Sequence, residues 1–242
     1  MRYVLITGAA RGLGRAMLDH YVALGDHVVA VDLDPSPLIG INNITTIACD
    51  LSNPSLARAI KLNEQLDVVI HAAGISAAGS FTELPWNQQQ AVMDVNFAGT
   101  VNLTQSLLSA GCLAPNAKMC FVSSLSHYVS YPGAAVYAGS KDGLTSYARS
   151  LGKAYKRKLS VTVAFPGPLR TEHAAKYAPD NSKRAVARRM PPEKAAKTII
   201  YDMDKRRATS LPGWGAKFAA DGGTIAPKLM GKLMRKAIFE KL

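Results

Sequence analysis

The stretch Tyr3-Val-Leu-Ile-Thr7-Gly8-Ala-Ala-Arg11-Gly12-Leu13-Gly14 decides the fold. Its opening apolar run, rich in aliphatic residues, has the pattern of a strand buried on both faces. After the glycines, Arg15-Ala-Met-Leu-Asp-His-Tyr-Val-Ala-Leu24 reads as a helix that Gly25 stops. A second strand, His27-Val-Val-Ala-Val31, ends in Asp32. Strand, glycine-rich turn, helix and strand, in that order, are what a dinucleotide site needs. Glycines let the backbone approach a pyrophosphate closely, and the N–H groups at the helix start face the anion. Asp32 is placed to accept hydrogen bonds from a ribose diol. The glycine spacing is G-x-x-x-G-x-G, not the usual G-x-G-x-x-G.

The alternation continues outward from this unit. Further strands are expected at Thr45–Cys49, Asp67–His71, Lys118–Val122 and Ser160–Ala164, the last halted by Phe165-Pro166-Gly167. Helices are expected over Pro54–Asn63, from near Pro85, through Asn96 to about Ser109, and from Ala135 to about Lys156. Strands alternating with helices predict an α/β fold: one doubly wound parallel sheet of the Rossmann type with right-handed crossovers. The 242 residues suit a single domain over 1–242 with a full core. No internal repeat, low-complexity stretch or linker divides it.

Composition narrows the function classes. The three cysteines, Cys49, Cys112 and Cys120, have no metal-ligand spacing and read as reduced thiols packed in a cytoplasmic protein. No metal site is expected. Met1 leads into a strand almost at once, so no signal peptide fits, and no apolar run is long enough to span a membrane. The net charge of +12 is uneven: residues 1–169 carry 12 Lys+Arg and 10 Asp+Glu, residues 170–242 carry 17 and 7. The basic third has no interleaved aromatic surface and no recognised nucleic-acid motif, so nucleic acid is not an expected partner.

Chemistry is carried by Ser124, Tyr137 and Lys141. A free tyrosine, with a pKa near ~10, is a poor acid or base at neutral pH, and a neighbouring cation lowers that value. Lys141 lies four residues after Tyr137, on the same helix face. Tyr137 could then exchange a proton with an alcohol or carbonyl. Ser124 directly follows a strand, thirteen residues before the tyrosine, and its hydroxyl could bond the same substrate oxygen. Ser123 and Ser126 are neighbours, and the offset selects Ser124.

On these residues the chain resembles the short-chain dehydrogenase/reductase family over nearly its whole length. Gly8, Gly12 and Gly14 match the family's glycine motif, with Arg11 and Leu13 between them. Asp50-Leu51 matches the acidic position that contacts adenine. Ala72-Ala73-Gly74 matches an Asn-Asn-Ala-Gly motif in which His71 and Ala72 replace both asparagines. Asn96, Ser124, Tyr137 and Lys141 match the catalytic tetrad, and Pro166-Gly167 and Thr171 match the segment that touches the nicotinamide carboxamide. The resemblance implies hydride exchange between a nicotinamide cofactor and a small-molecule alcohol or ketone. It makes Tyr137 the general acid/base, Lys141 the ribose-holding cation, Ser124 the group that orients the substrate and Asn96 the support of a proton-relaying water. It also implies a homodimer or homotetramer and a substrate lid at about 172–192.

Asp32 would repel a 2′-phosphate, and Leu33 stands where NADP-using members often carry arginine, so NAD is the expected cofactor. Arg11 pulls toward NADP. The final segment, 226–242, is a basic amphipathic helix by its spacing, with Leu229, Met230, Leu233 and Met234 on one side. The favoured reading docks it on the core or another subunit, and contact with an anionic membrane surface is the alternative. Thr209–Pro212 is a candidate last strand. Two rival functions remain at this level: a silent dinucleotide-binding regulator, and a surface binder of membrane or nucleic acid acting through the basic third.

Overall fold

In the computed structural model the aliphatic runs become seven parallel strands: β1 (Tyr3–Thr7), β2 (His27–Asp32), β3 (Ile44–Ala48), β4 (Leu66–His71), β5 (Leu113–Val122), β6 (Leu159–Ala164) and β7 (Thr209–Ser210). They form one sheet in the order β3-β2-β1-β4-β5-β6-β7. The structure describes residues 1–55, 62, 64–79, 81–129, 133–177, 181–226, 228–229 and 232. Among them the helices are α1 (Gly12–Ala23), α2 (Trp86–Met93), α3 (Thr100–Ser109), α4 (Ala135–Ala154), α5 (Glu172–Tyr177), α6 (Lys183–Arg188), α7 (Pro192–Asp204) and α8 (Trp214–Ile225).

The central strands read as unbroken apolar runs because both sheet faces are covered. Successive side chains point to opposite faces. Val4 and Ile6 of β1 therefore join one core, with Met17, Leu18 and Tyr21 of α1 and Ile199 and Met203 of α7. Leu5 joins the other, with Leu103 and Leu107 of α3 and Leu144, Ala148 and Leu151 of α4. Each buried aliphatic side chain of this size contributes about 1.5–3 kcal/mol relative to exposure.

The chain winds outward from β1 through β2 to β3, then returns to β4 on the other side of β1 and continues to β7. The winding reverses between β1 and β4, and the crevice beyond their carboxyl ends is where ligands bind in open parallel sheets. The turn after β1 and the segment Ala72–Gly74 after β4 both open onto it.

Several local expectations change. Helix α1 begins at Gly12, not Arg15, because the glycine turn itself runs into the helix. Helices α2 and α3 are one continuous helix joined by a π-helical turn, Asp94–Gly99. Strand β5 extends back to Leu113, with a register shift opposite Leu66 and Val68. The segment 172–192, the expected lid, contains α5 and α6. Helix α8 follows the last strand, where glycine and alanine obscure the sequence signal. Most of the helix expected at Pro54–Asn63, and most of the segment 226–242, lie outside the described residues.

Candidate active site

The glycine turn is built by backbone conformations that only glycine adopts without strain. Gly8 and Gly12 have φ of +67° and +57°. A Cβ on Gly8 would lie 2.8 Å from the Ala73 backbone, and one on Gly14 would run into the Gly8 carbonyl. The turn is thus sealed against the segment after β4, with no room for a side chain between them. At its far end Gly12 faces Thr171: a Cβ there would stand 3.3 Å from the Thr171 methyl. Residues far apart in sequence meet across the crevice at this point.

The start of α1 suits an anion. Arg11 at its N-cap makes no side-chain capping bond, and the first turn carries no acid. The Arg11 guanidinium instead pairs with Asp34 at 2.9 Å. The Ser36 hydroxyl and backbone N–H, with Arg11 after them, hold the Asp34 carboxyl below its usual range. Asp32 accepts a hydrogen bond from the Ala10 N–H at 2.9 Å and another from the Asp34 N–H at 3.2 Å. Its carboxylate is therefore fixed at the lip of the glycine turn. Asp50 accepts from the Ser52 N–H and hydroxyl at 2.9 and 2.7 Å, which shapes the turn that buries Leu51.

The π-helical turn carries Asn96 into the interior, fully buried. Such turns insert an extra residue and re-aim side chains, and they recur at functional sites. Asn96 clamps the chain after β4: its Oδ1 accepts from the Ile75 N–H at 2.8 Å and its Nδ2 donates to the Ile75 carbonyl at 2.9 Å. The same Nδ2 lies 3.0 Å from the Ser140 hydroxyl, which in turn donates to the Tyr137 carbonyl at 2.7 Å. A Cβ on Gly74 would stand 3.1 Å from Lys141 Nζ and 3.2 Å from Asn96 Oδ1. Gly74, Asn96 and Lys141 therefore converge on one spot.

Lys141 is 3% exposed, and its ammonium donates to the Val122 carbonyl at 2.9 Å. Burial draws its pKa from 10.5 down to about 8. Its Nζ lies 6.0 Å from the centre of the Tyr137 ring on the same helix. The lysine backbone is anchored as well: its carbonyl accepts from the Ser123 hydroxyl at 3.1 Å and from the Thr145 hydroxyl at 2.9 Å. Ser124 has extended backbone, and its hydroxyl accepts from the Ser126 N–H at 3.2 Å. The Leu125 N–H donates to the Pro166 carbonyl at 3.1 Å, which ties the serine turn to Pro166-Gly167. Helix α5 leans toward the site. The packing around the His173 ring, followed by the Lys141 and Lys176 charges, lowers its pKa although the residue is exposed by surface area.

Every candidate site residue falls on this one edge of the sheet. The sequence reading missed the supports: Ser140, Ser123, Thr145, Asp34, Ile75 and the carbonyl of Val122. Ser140 could have been suspected, since it sits between Tyr137 and Lys141. The backbone partners leave no trace in side-chain identity. Among the described residues no cluster of His, Cys, Asp or Glu could hold a metal ion.

Residues 2–182 match the short chain dehydrogenase family. The chain belongs to that family. A Danio rerio dehydrogenase/reductase SDR family member 7B is 28% identical, over 96% of this chain and 84% of its own length. An uncharacterized short-chain type dehydrogenase/reductase of Sinorhizobium fredii is also 28% identical over 93% of this chain, but the match spans only 44% of that longer protein. A Burkholderia cenocepacia short chain dehydrogenase solved in complex with NADP superposes with a TM-score of 0.82 at 20% identity, covering 96% of this chain and 97% of that one. A Burkholderia phymatum short chain dehydrogenase/reductase solved with NAD gives 0.80 at 18% identity, covering 95% of each chain. At these identities the two structures bear on the fold.

Proposed function

We propose that this protein is an NAD-dependent short-chain dehydrogenase/reductase that interconverts an alcohol and a carbonyl group of a small molecule, with Tyr137 moving the proton. The observation that carries the reading is the buried ammonium of Lys141, held by the Val122 carbonyl beside Tyr137 and facing Gly74 at the crevice. Burying a cation carries a desolvation cost that an apolar residue would not incur.

The residues fit a dinucleotide. Gly8, Gly12, Leu13 and Gly14 would hold the pyrophosphate at the start of α1. Asp32 would take the adenosine ribose diol, and Asp50 and Leu51 would flank adenine. Ala72, Ala73 and Gly74 would line the middle, and Pro166, Gly167 and Thr171 the nicotinamide end. When bound, the nicotinamide supplies the hydride acceptor or donor.

The remaining chemistry belongs to the chain. The Lys141 charge favours the phenolate of Tyr137 and lowers its pKa toward the working range. Tyr137 then takes the hydroxyl proton of an alcohol in oxidation, or gives one to a carbonyl in reduction. Ser124 donates a hydrogen bond to the same oxygen. Asn96 holds Ile75 and, through Ser140, the first turn of α4, and so fixes the distance between Gly74 and the tyrosine.

NAD is favoured over NADP because the two charges near the ribose are already assigned. Asp32 faces the glycine turn, and Arg11, which would attract a 2′-phosphate, is paired with Asp34. The three free cysteines agree with a cytoplasmic protein. A homodimer or homotetramer is the assembly the family suggests.

Titration with NADH and NADPH, followed by nicotinamide fluorescence, tests the cofactor reading, and NADH is expected to bind more tightly. A panel of alcohols and ketones then tests turnover. Tyr137→Phe should lower kcat by roughly 10²–10⁴-fold with cofactor affinity unchanged. Full turnover in that variant would remove the proposed role of Tyr137. Failure to bind either nucleotide would remove the enzyme reading itself.

A further inference from the structure

Helix α8 is apolar on two opposite faces. Inward, Ala216 and Ala220 are 6% and 3% exposed, and Gly223 lies so close to the Tyr128 carbonyl that no side chain fits. These small residues recur at helical spacing and seat the helix on the turn that follows Ser124. Outward stand Trp214, Phe218 and Ile225, which are 85%, 70% and 83% exposed, with Leu229 at 59% beyond the helix end. At the α-helical pitch the first three fall within about 40° of one another, on the side away from the small residues. Soluble monomers rarely keep such a stripe in water without a use for it.

Its surroundings are basic. Lys217, Lys228 and Lys232 are exposed alongside it, and from Trp214 to Leu242 the chain carries six basic residues and two acidic ones, Asp221 and Glu240. Asp221 shares the outward side with the aromatic residues. Among the described residues no helix is long and apolar enough to cross a membrane.

We propose that α8, with the exposed Lys217, Lys228 and Lys232, docks this protein on an anionic lipid surface. Trp214, Phe218 and Ile225 enter the boundary between headgroups and acyl chains, and the lysines meet the headgroup charge. The choice of occupant rests on charge complementarity. A second copy seated on this face would bring like-charged lysines together, whereas an anionic leaflet supplies the opposite sign. The inference stands apart from the dehydrogenase reading, since none of these residues belongs to the site.

The test is co-sedimentation of the 242-residue chain with vesicles of phosphatidylcholine alone, or with about 30% phosphatidylserine added. Binding to the anionic vesicles should be at least ~10-fold tighter and should weaken as salt is raised. In a Trp86→Phe background, which leaves Trp214 as the single tryptophan, emission should shift to the blue on binding. The double variant Trp214→Ser/Phe218→Ser, with circular dichroism unchanged, should lose affinity by at least ~10-fold.

Three outcomes overturn the proposal. One is absence of binding, or equal binding to both vesicles. Another is anionic binding that survives the double substitution, or that leaves Trp214 emission unchanged in the Trp86→Phe background. The last is an oligomer in lipid-free buffer, seen by light scattering, that the double substitution dissociates. That result would give the face to a second copy.

Discussion

His71 is the residue whose environment speaks most directly about pH. It is 1% exposed, stacked on Phe121 at 4.9 Å between ring centres. Its Nε2 lies 3.0 Å from the Thr104 hydroxyl, which already donates to the Thr100 carbonyl at 2.8 Å. The ring must therefore donate through Nε2, which leaves Nδ1 buried with no partner. Burial lowers its pKa from 6.5 to about 3. Between these values the unfolded chain binds the proton and the folded chain does not. The contribution to stability is thus complete above pH 6.5 and is lost as pH falls toward 3. From pH 7 to pH 5 the loss is about 2 kcal/mol. Urea unfolding at the two pH values should show that loss in the unmutated protein and not in His71→Asn. Equal pH dependence in both would place the ring in contact with water.

Lys141 carries the same kind of penalty with the window moved up. Its folded pKa of about 8 lies below the ordinary 10.5, so the unfolded chain binds more protons between them and stability rises with pH across that range. The full cost, about 3 kcal/mol for this displacement, is present below pH 8. Lys141→Met removes it, and leaves the Val122 carbonyl unpaired at a cost of about 1–3 kcal/mol. The stability of the variant relative to the unmutated protein, without cofactor, should therefore fall by about 3 kcal/mol between pH 7 and pH 10.5. A flat difference would mean the ammonium is not buried as a cation.

At the scale of elements, the joint between α2 and α3 carries the most consequence. The π-helical turn is held from both sides: Asn96 bonds Ile75, and Gly99 lies against the Leu51 carbonyl with no room for a methyl group. Asn96→Ala leaves the N–H and C=O of Ile75 without their partner in the interior, which should cost about 3 kcal/mol in urea unfolding. A loss below about 1 kcal/mol would show that water or a shifted backbone replaces the clamp. The sequence placed Asn96 on a helix but gave no hint of the extra residue in the turn. Helical periodicity is blind to one inserted residue when the flanking stretches each keep their own pattern. Helix α8 escaped notice for a related reason: its inward face is alanine and glycine, so its large apolar residues point the wrong way for a core-facing pattern. In contrast, β1, the glycine turn and α1 were legible because their signals are local and contiguous.

For the whole molecule, the same distinction separates what was readable from what was not. The parallel sheet follows from alternation of strands and helices, and Thr209-Ser210 does join it as the seventh strand beside β6. The contacts that close the crevice are long-range: Gly12 against Thr171, Gly74 against Lys141 and Asn96, Gly8 against Ala73. No local pattern encodes them. Two of them, Gly12 against Thr171 and Gly8 against Ala73, also join the two halves of the sheet, β1 to β3 on one side and β4 to β7 on the other, so a dinucleotide lying along the crevice would bridge both. Binding to the native state alone at about 100 times Kd stabilises by ~2.7 kcal/mol. For a chain of this size that corresponds to a rise in Tm of about 5–10 °C. NADH should produce that shift, and NADPH at equal concentration a smaller one. Asp32→Ala should cut the NADH shift by at least half and leave the NADPH shift in place, because only the free ribose diol uses that carboxylate. A larger shift with NADPH in the unmutated protein would mean that Arg11 leaves Asp34 for the 2′-phosphate, and the assigned preference would be reversed.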